Sequence, residues 1–447
     1  MRTNPLAGLA TARRNGSPYG ITSICSAHPV VIQTAIRRAV RSKETILLIE
    51  ATCNQVNQFG GYTGMTPDLF IAFVLEIASR EGLDPSRIIF GGDHLGPNPW
   101  RTEPAAQAMS KAEAMVTAYV WAGFSKIHLD ASMGCAGEPA ALDDETIATR
   151  AARLAKAAEK AARAAGSALP AYIIGTEVPV PGGVDHTISD LKPTEAAAAR
   201  RTIAVHREIF AREGLTDTFG RVIAVVVQPG VEFGSQNVVA YRPEASKALT
   251  GLLDDEPSLV YEAHSTDYQS RAALTALVGN GFPILKVGPG LTFALREALY
   301  GLDLIASEMI ADYGDRSLAR TMERVMLAAP GHWHSHYHGN EASIYLQRHY
   351  SYSDRIRYYW SNPTAGVAVG RLREVLDRVS IPETLMRQFL PMVPIELGSA
   401  GNPDAILQVA IGQVLADYDA ACRRDTLPTP EGCNDAPSSV PRLGNHP

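Results

Sequence analysis

The first two thirds of the chain alternate between short apolar runs and longer amphipathic stretches rich in Ala, Glu and Arg with helical spacing. Each apolar run is rich in β-branched residues and ends in polar side chains. A strand followed by a helix, repeated eight times, predicts an α/β protein with a (β/α)8 TIM barrel. The eight runs are Tyr19–His28, Thr45–Ala51, Arg87–Gly96, Lys126–Met133, Ala171–Pro179, Arg221–Val231, Ser258–Asp267 and Pro283–Leu291.

The predicted strands are nearly continuous apolar runs, of which Val222–Val227 is the clearest. Parallel strands that are buried on both faces have this pattern. A doubly wound open sheet would show the same strands, but polar residues at the end of every strand favour a closed barrel. Because barrel active sites lie at the C-terminal ends of the strands, these polar residues are the candidate functional site.

Helical stretches continue after the eighth run, so we predict three parts. Residues 1–313 form the barrel, residues 314–423 form a C-terminal helical extension, and residues 424–447 form a tail whose Pro, Gly, Ser and Asn content predicts disorder. The predicted helices are Phe293–Tyr313, Ser317–Ala329, Glu341–Tyr350, Val367–Val379, Glu383–Gln388 and Pro403–Arg423.

Composition narrows the class of protein only slightly. The apolar fraction of 46% is ordinary for a globular protein. The net charge of −6 disfavours nucleic acid or an acidic membrane as the main partner. No apolar run is long enough for a membrane helix, and the N-terminus lacks the apolar core of a signal peptide. Five scattered cysteines without a C-x-x-C pair favour free thiols, so we expect a cytoplasmic protein.

Two histidines and one glutamate at strand ends predict a divalent metal site. His94 follows Gly91-Gly92-Asp93 at the third strand, Glu177 ends the fifth strand, and His264 ends the seventh. Imidazole and carboxylate groups from different strands of one mouth can hold a metal with open positions for substrate. The alternative is a hydrogen-bonded polar cluster in which these side chains are structural.

Three carboxylates are the catalytic candidates. Asp93 can act as a general base or can hold a metal ligand in place, and Asp130 can be a ligand, orient one or transfer protons. Glu232 is either catalytic or merely exposed on its loop. Gln228, at the end of the sixth strand, is a candidate for binding a sugar hydroxyl.

The eighth strand predicts an anion site. Gly288 and Gly290 precede a helix, where backbone N–H groups can bind a substrate anion, and Lys286 can add positive charge. Lys286 could instead form a Schiff base, although the nearby histidines favour metal chemistry. Asp267 is suited to cap a helix and is a further substrate-binding candidate.

Two segments beyond the barrel also carry unusual residues. The histidine tract at 331–339 would present its alternate histidines on one face only if it were extended, and we expect it to lie at a surface or interface. The aromatic and arginine-rich segment 350–360 could bring Arg355 or Arg357 to a phosphate, or could pack across a subunit contact.

Several of these motifs resemble the Z-type, accessory subunit family of D-tagatose-1,6-bisphosphate aldolase, and the similarity runs from about Gly20 to Arg423. The motifs that carry the resemblance are Asp93-His94, Leu129-Asp130-Ala131-Ser132, Glu177-Val178-Pro179, Lys286-Val287-Gly288-Pro289-Gly290 and Tyr352–Trp360. The resemblance implies a TIM barrel related to the zinc-dependent class II aldolases.

In those catalytic relatives, the histidine of an Asp-His pair binds zinc and the aspartate transfers a proton. Asp93 and His94 match this pair, and Asp130 matches an aspartate of the fourth strand. Catalytic relatives also carry a Gly-rich phosphate turn directly after the histidine of the seventh strand. Here Ser265-Thr266-Asp267-Tyr268 follows His264, which puts phosphate binding at that turn in doubt.

Two functions follow from the resemblance. The first is an accessory subunit that supports the activity and stability of a catalytic class II tagatose-bisphosphate aldolase. The second is an autonomous metal-dependent 4-epimerase of a ketose or ketose 6-phosphate that uses retro-aldol chemistry, with zinc or manganese as the metal. We also expect a homo-oligomer. A tagatose 6-phosphate kinase is disfavoured, because the sequence has no G-x-x-x-x-G-K-[ST] phosphate loop.

Overall fold

Eight parallel strands close into a barrel in the computed structural model, which describes residues 5–42, 46–175 and 191–423. Each predicted run overlaps one barrel strand, so the predicted fold is confirmed. The strands are β1 (Ile21–Cys25), β2 (Leu47–Thr52), β3 (Ile88–Leu95), β4 (Lys126–Leu129), β5 (Ala171–Gly175), β6 (Val222–Val226), β7 (Glu232–Phe233), β8 (Val238–Val239), β9 (Val260–Ala263) and β10 (Ile284–Val287). β7 and β8 are not part of the barrel and form a small antiparallel hairpin after β6.

The barrel closes because β1 pairs with β2 on one side and with β10 on the other, and the remaining strands follow in the order β9, β6, β5, β4 and β3. The helices are α1 (Leu9–Arg14), α2 (Pro29–Arg41), α3 (Pro67–Glu81), α4 (Ala105–Ala122), α5 (Asp144–Ala165), α6 (Ala196–Arg212), α7 (Thr216–Phe219), α8 (Pro243–Gly251), α9 (Arg271–Gly279), α10 (Pro289–Met309), α11 (Ser317–Ala328), α12 (Glu341–Tyr350), α13 (Pro363–Leu376), α14 (Glu383–Phe389), α15 (Glu396–Ser399) and α16 (Pro403–Cys422).

Local sequence explains where the helices begin and end. Asp143 caps α5 by accepting a hydrogen bond from the Thr146 N–H at 2.8 Å, and Gly166 ends the same helix with a φ of 64°. α10 begins at Pro289, earlier than predicted, because proline fits the first turn of a helix, where its missing N–H is not needed.

The barrel interior divides into an apolar lower half and a polar upper half. Side chains two positions apart on a strand point to the same face, so one strand can contribute to both halves. Apolar interior residues pack at the N-terminal end, where Leu6 and Leu9 close the barrel. Charged and imidazole side chains occupy the C-terminal end, for example Leu48 below Glu50 on β2 and Val260 below Glu262 on β9.

The C-terminal helices pack on the barrel. α16 contacts α2, α9 and α10, and the Gly20 N–H donates to the Cys422 carbonyl at 3.0 Å. The division at residue 313 stays a prediction, and the predicted tail 424–447 lies outside the described residues. Among the described helices, none has the length and apolar character needed to cross a bilayer.

Candidate active site

The floor of the mouth is a buried network of charges inside the barrel. The Lys126 ammonium is fully buried and lies 2.6 Å from Glu50 Oε1 and 2.7 Å from Glu262 Oε2. The Lys286 ammonium contacts Glu50 and lies 2.8 Å from Asp93 Oδ1. Buried charges are tolerated when they are paired in this way, so each ion of this network has a partner of opposite charge.

Gly91 makes room for this network. A Cβ atom at this position would lie 2.7 Å from Glu50 Cγ, which is closer than carbon atoms can approach. The glycine before Asp93 is therefore required by the carboxylate on the neighbouring strand and not only by a turn.

Lys286 is held as an ammonium ion. Burial alone would lower its pKa, but the neighbouring acidic groups, Asp93 first among them, raise the pKa well above its usual value. A lysine must be neutral to form a Schiff base, so this environment favours an electrostatic role for Lys286. Its predicted contact with substrate stays a prediction.

Four side chains above this floor form a cluster of metal-binding type. One ligand atom from each of Asp93, His94, His128 and His264 lies within 4.8 Å of the others. The His94 and His264 rings are 4.8 Å apart between centroids, and those of His94 and His128 are 5.0 Å apart. The structure thus brings two predicted ligands together, whereas Glu177 lies outside the described residues.

Hydrogen bonds indicate that the cluster fits a cation. His128 Nε2 lies 2.9 Å from the Gly175 carbonyl oxygen, which can only accept, so we assign the proton to Nε2. His128 Nδ1 then accepts the His94 N–H at 3.2 Å and lies 3.1 Å from Asp93 Oδ1. The Nδ1 lone pair and the Asp93 carboxylate are facing acceptors, which positive charge stabilises. A divalent ion bound at Nδ1 would take the place of the His94 N–H, and three imidazoles with a carboxylate suit zinc or a similar ion.

The other two histidines are oriented by carboxylates. His94 Nδ1 lies 2.7 Å from Asp130 Oδ2, and His264 Nε2 lies 3.0 Å from Glu262 Oε1. Burial lowers the pKa of His264 to about 3, which keeps its ring in the neutral form that binds metals. His94 has a φ of 49°, an uncommon value for a residue with a side chain, and such strain is frequent at functional sites.

Asp130 therefore supports His94 in this structure. Its other oxygen accepts the Ser132 hydroxyl at 2.7 Å. Burial would raise the pKa of Asp130, but the His94 contacts outweigh burial and hold the pKa below its usual value. A carboxylate behind a ligating histidine fixes the orientation of the ring, which is one of the roles predicted for Asp130.

Sequence reasoning missed His128, Lys126 and Glu262 as site residues. The signal was present in the alternation of the strands, because Lys126, His128 and Asp130 are spaced by two and so point to one face. The same spacing relates Glu262 to His264. All three residues lie before the C-terminal ends of their runs, so the pattern of polar residues at those ends does not include them.

Glu232 lies in β7 and is buried, not exposed on its loop. Its Oε1 accepts the Phe233 N–H at 2.9 Å, and among the described residues its Oε2 is buried without a hydrogen-bond partner. Burial raises the pKa of Glu232 to about 7, and the Asp267 charge adds to this effect. A carboxyl group in this state can both accept and release a proton near neutral pH.

Gln228 combines a structural contact with a free donor. Its Oε1 accepts the N–H groups of Gly230 at 2.8 Å and Val231 at 2.9 Å, which shapes the turn after β6. Its Nε2 is buried without a partner among the described residues. That amide remains suited to the sugar hydroxyl that the sequence suggested.

The predicted anion loop contains an anion from the chain itself. Asp267 Oδ1 accepts the N–H of Gly288 at 2.9 Å and the N–H of Gly290 at 2.7 Å. A substrate phosphate at this loop would have to displace the Asp267 carboxylate. Substrate binding by these three residues stays a prediction.

The segment 350–360 packs against the barrel mouth within the same chain. The Tyr352 carbonyl accepts the Tyr268 hydroxyl at 2.7 Å, and the Tyr352 N–H donates to the Ser235 carbonyl at 3.0 Å. In the nearby histidine tract, Trp333 and Tyr337 are buried while His332, His334 and His338 are exposed. No metal-type cluster among the described residues includes these histidines.

The fold and the mouth together define a (β/α)8-barrel protein with a His- and Asp-lined cluster suited to a divalent metal. The family model described as D-tagatose-1,6-bisphosphate aldolase subunit GatZ/KbaZ-like matches residues 6–423, and the chain belongs to this family. The resemblance seen in the sequence is thereby confirmed.

Two relatives are similar over almost their whole length. A D-tagatose 6-phosphate 4-epimerase from Agrobacterium fabrum (strain C58 / ATCC 33970) is 65% identical over 416 residues, which are 93% of this chain and 98% of that protein. The crystal structure of a protein from Sinorhizobium meliloti 1021, described as a probable tagatose 6 phosphate kinase, has 52% identity and a TM-score of 0.82. The match covers 90% of this chain and 100% of that one.

Proposed function

We propose that the protein is a metal-dependent 4-epimerase that interconverts D-tagatose 6-phosphate and D-fructose 6-phosphate. The observation that carries this proposal is the convergence of Asp93, His94, His128 and His264 at the barrel mouth. The 65% identity to a protein named as a D-tagatose 6-phosphate 4-epimerase supports the choice of substrate. Zinc is the proposed metal, with manganese as the alternative.

The comparisons favour this function over the accessory subunit that the sequence first suggested. The family description names an aldolase subunit, but the relative with 65% identity is named as an epimerase. A chain that only supports another subunit also has little need for four converging metal-type ligands above a buried charge network. No observation on this chain calls for a separate catalytic partner.

The chemistry proposed for the mouth is retro-aldol cleavage followed by re-addition. The C4 hydroxyl loses its proton, the C3–C4 bond breaks, and its electron pair moves towards the C2 oxygen to give an enediolate and an aldehyde. The aldehyde turns, C3 attacks its other face, and the proton returns to the C4 oxygen. A bound divalent ion would supply Lewis acidity that stabilises negative charge on the sugar oxygens.

Residues of the chain supply proton transfer, orientation of a histidine and binding of the sugar. Glu232 takes the C4 hydroxyl proton and later returns it, because its buried carboxyl has a pKa of about 7. Asp130 orients His94, and Gln228 Nε2 donates to a hydroxyl of the sugar. Asp93 is less suited to proton transfer, because His94 and Lys286 outweigh the effect of burial and hold its pKa well below the usual value.

The test is turnover by the purified protein alone. Protein treated with a chelator is reloaded with Zn²⁺, Mn²⁺ or Mg²⁺ and incubated with D-tagatose 6-phosphate, and NMR follows the appearance of D-fructose 6-phosphate. We expect His128→Ala and His264→Ala to lower kcat/KM by roughly 100-fold or more. His334→Ala, an exposed histidine of the tract, is the matched control and should leave kcat/KM unchanged.

Turnover in D₂O tests the route. Retro-aldol cleavage leaves the hydrogens on C3 and C4 in place, so the product should contain no deuterium at either carbon. Deuterium at C4 would point to direct proton abstraction from carbon. Absence of turnover with every divalent ion, together with stimulation of a class II aldolase by the added protein, would favour the accessory subunit instead.

A further inference from the structure

The proposed substrate carries a phosphate, and the usual place for it in a barrel is closed. Phosphates favour the loops after the last two barrel strands, but here the Asp267 carboxylate accepts the Gly288 and Gly290 N–H groups. A second anion beside that carboxylate would be repelled. The phosphate group therefore needs a cationic partner elsewhere at the mouth.

Within the described chain, Arg357 is a guanidinium that forms no ion pair. Its contacts are neutral groups: Nη1 donates to the carbonyls of Ser353 and Asp354, and Nη2 lies 3.0 Å from the Tyr358 hydroxyl. Among the described residues, no carboxylate lies within 4.0 Å of it, whereas the buried Arg348 pairs with Glu323. Its guanidinium carbon stacks 4.5 Å from the centre of the Tyr358 ring.

Neighbouring contacts place Arg357 over the mouth. The Tyr358 ring meets the Tyr62 ring at 4.7 Å, and Tyr62 belongs to the loop after β2. The same segment also contacts the loop after β9, because the Tyr352 carbonyl accepts the Tyr268 hydroxyl at 2.7 Å. Because β1 and β10 lie between β2 and β9 in the barrel, the segment that carries Arg357 lies on the side of the mouth that contains Glu50 and Lys286.

Hydrogen bonds to α10 hold the backbone that precedes Arg357. Asp354 adopts a φ of 46°, and its carboxylate accepts the Thr292 hydroxyl at 2.6 Å and the Arg296 Nε–H at 3.2 Å. The short 3-10 helix Arg355–Tyr359 starts from this point. The guanidinium is therefore positioned before any ligand arrives, which lowers the entropy cost of binding.

We infer that Arg357 binds the phosphate group of the sugar substrate, so that phosphate recognition comes from the C-terminal segment and not from the Gly-x-Gly loop. This inference rests on the proposed function for the identity of the substrate. A planar guanidinium with two free donor directions matches phosphate oxygens, and a half-buried cation that forms no ion pair with the described residues favours an anionic ligand. Asp354 acts as a positioning residue for Arg357.

Binding of inorganic phosphate tests the site independently of turnover. Isothermal titration calorimetry on chelator-treated protein avoids contact between phosphate and a metal ion. We expect Arg357→Gln to weaken phosphate binding roughly tenfold or more. Arg357→Lys should weaken it less, because lysine keeps the positive charge but cannot form two parallel hydrogen bonds to phosphate. Arg320→Gln, which removes an exposed charge on α11, is the matched control.

Kinetics distinguish the substrate phosphate from an unrelated anion. Arg357→Gln should raise KM for D-tagatose 6-phosphate roughly tenfold or more with little change in kcat. Inorganic phosphate should compete with the sugar phosphate in the wild type. Asp354→Asn should raise KM in the same direction by a smaller factor.

The inference is overturned if Arg357→Gln and Arg357→Lys both bind phosphate like the wild type, or if phosphate does not compete with the sugar phosphate. Failure of the proposed function looks different, because the wild type would then turn over no ketose phosphate. Thermal unfolding of each variant shows whether it is folded. Should Arg357→Gln not fold, Arg357→Lys decides the question.

Discussion

Two carboxyl groups at the mouth differ because their surroundings differ. Asp130 contacts His94 and Ser132, and these hydrogen bonds keep it ionised despite burial. Glu232 is also buried, but only its Oε1 has a hydrogen-bond partner in the described chain. Such a separation of pKa values commonly marks the acid and base of an active site.

Glu232 should give the reaction an acid limb in its pH profile. Because burial raises the pKa of Glu232 to about 7, the carboxylate needed for the first proton transfer is present above that pH and is lost below it. We expect kcat to fall as the pH drops through 7. Glu232→Gln should lower kcat roughly 100-fold or more and remove this limb, as measured by initial rates from pH 5.5 to 8.5.

The stability of the protein should change with pH in the opposite sense. The folded chain keeps a proton on Glu232 between its usual pKa of 4.5 and its folded pKa of about 7, so this residue makes stability fall as the pH rises through that window. In urea unfolding, the free energy of unfolding of Glu232→Gln should not show this fall between pH 4.5 and about 7. Glu208→Gln, which changes an exposed side chain, is the control. If the free energy of unfolding of both variants depends on pH as in the wild type, the raised pKa is not that of Glu232.

At the junction between β10 and α10, a residue from a neighbouring loop occupies an anion-binding motif. Gly288 and Gly290 have the spacing of an anion-binding turn, and an anion is bound there, but it is the Asp267 carboxylate. Asp267 comes from the loop after β9, on the neighbouring barrel strand. The turn therefore ties two adjacent loops together at the mouth.

Removal of Asp267 should open this turn to external anions. Asp267→Ala leaves two buried N–H donors without an acceptor, and we expect a loss of about 1–3 kcal/mol in the free energy of unfolding. Inorganic phosphate should raise the melting temperature of this variant more than that of the wild type, because phosphate can replace the carboxylate. Asp267→Asn keeps an acceptor oxygen and should respond like the wild type, and an equal response of all three proteins would contradict the prediction.

Taken as a whole, the molecule joins its C-terminal helices to the barrel wall. α16 packs against α2, α9 and α10, and the Arg38 guanidinium contacts the Asp419 carboxylate at 2.5 Å across this contact. The segment 350–360 contacts the loops at the C-terminal end of the barrel. A mouth built partly by the extension implies that the two parts fold and function together.

Ile411→Ala should therefore destabilise the entire chain. Ile411 is buried in α16, and its truncation should cost about 2–5 kcal/mol. We expect one unfolding transition, shifted equally in circular dichroism and in tryptophan fluorescence. Asp417→Ala, at a half-exposed ion pair on the same helix, is the control for surface effects. A separate early transition of the extension would support independent folding of residues 314–423.

The order of strands and helices could be predicted from the sequence, because apolar runs and amphipathic stretches reflect local burial along the chain. The same pattern located His94, His264, Asp93 and Asp130 at the ends of strands, and closure of the barrel brings these four to one mouth. The small hairpin β7–β8 escaped prediction, since each of its strands has only two residues.

Contacts between residues far apart in the chain could not be predicted in this way. His128 and Lys126 lie within an apolar run, and their role follows only from the barrel interior, where Glu50, Glu262 and Asp93 from other strands meet them. The occupation of the Gly288 turn by Asp267 also requires two loops to lie side by side. Local patterns report which face of an element is buried, whereas pairing of charges depends on distances that exist only once the barrel has closed.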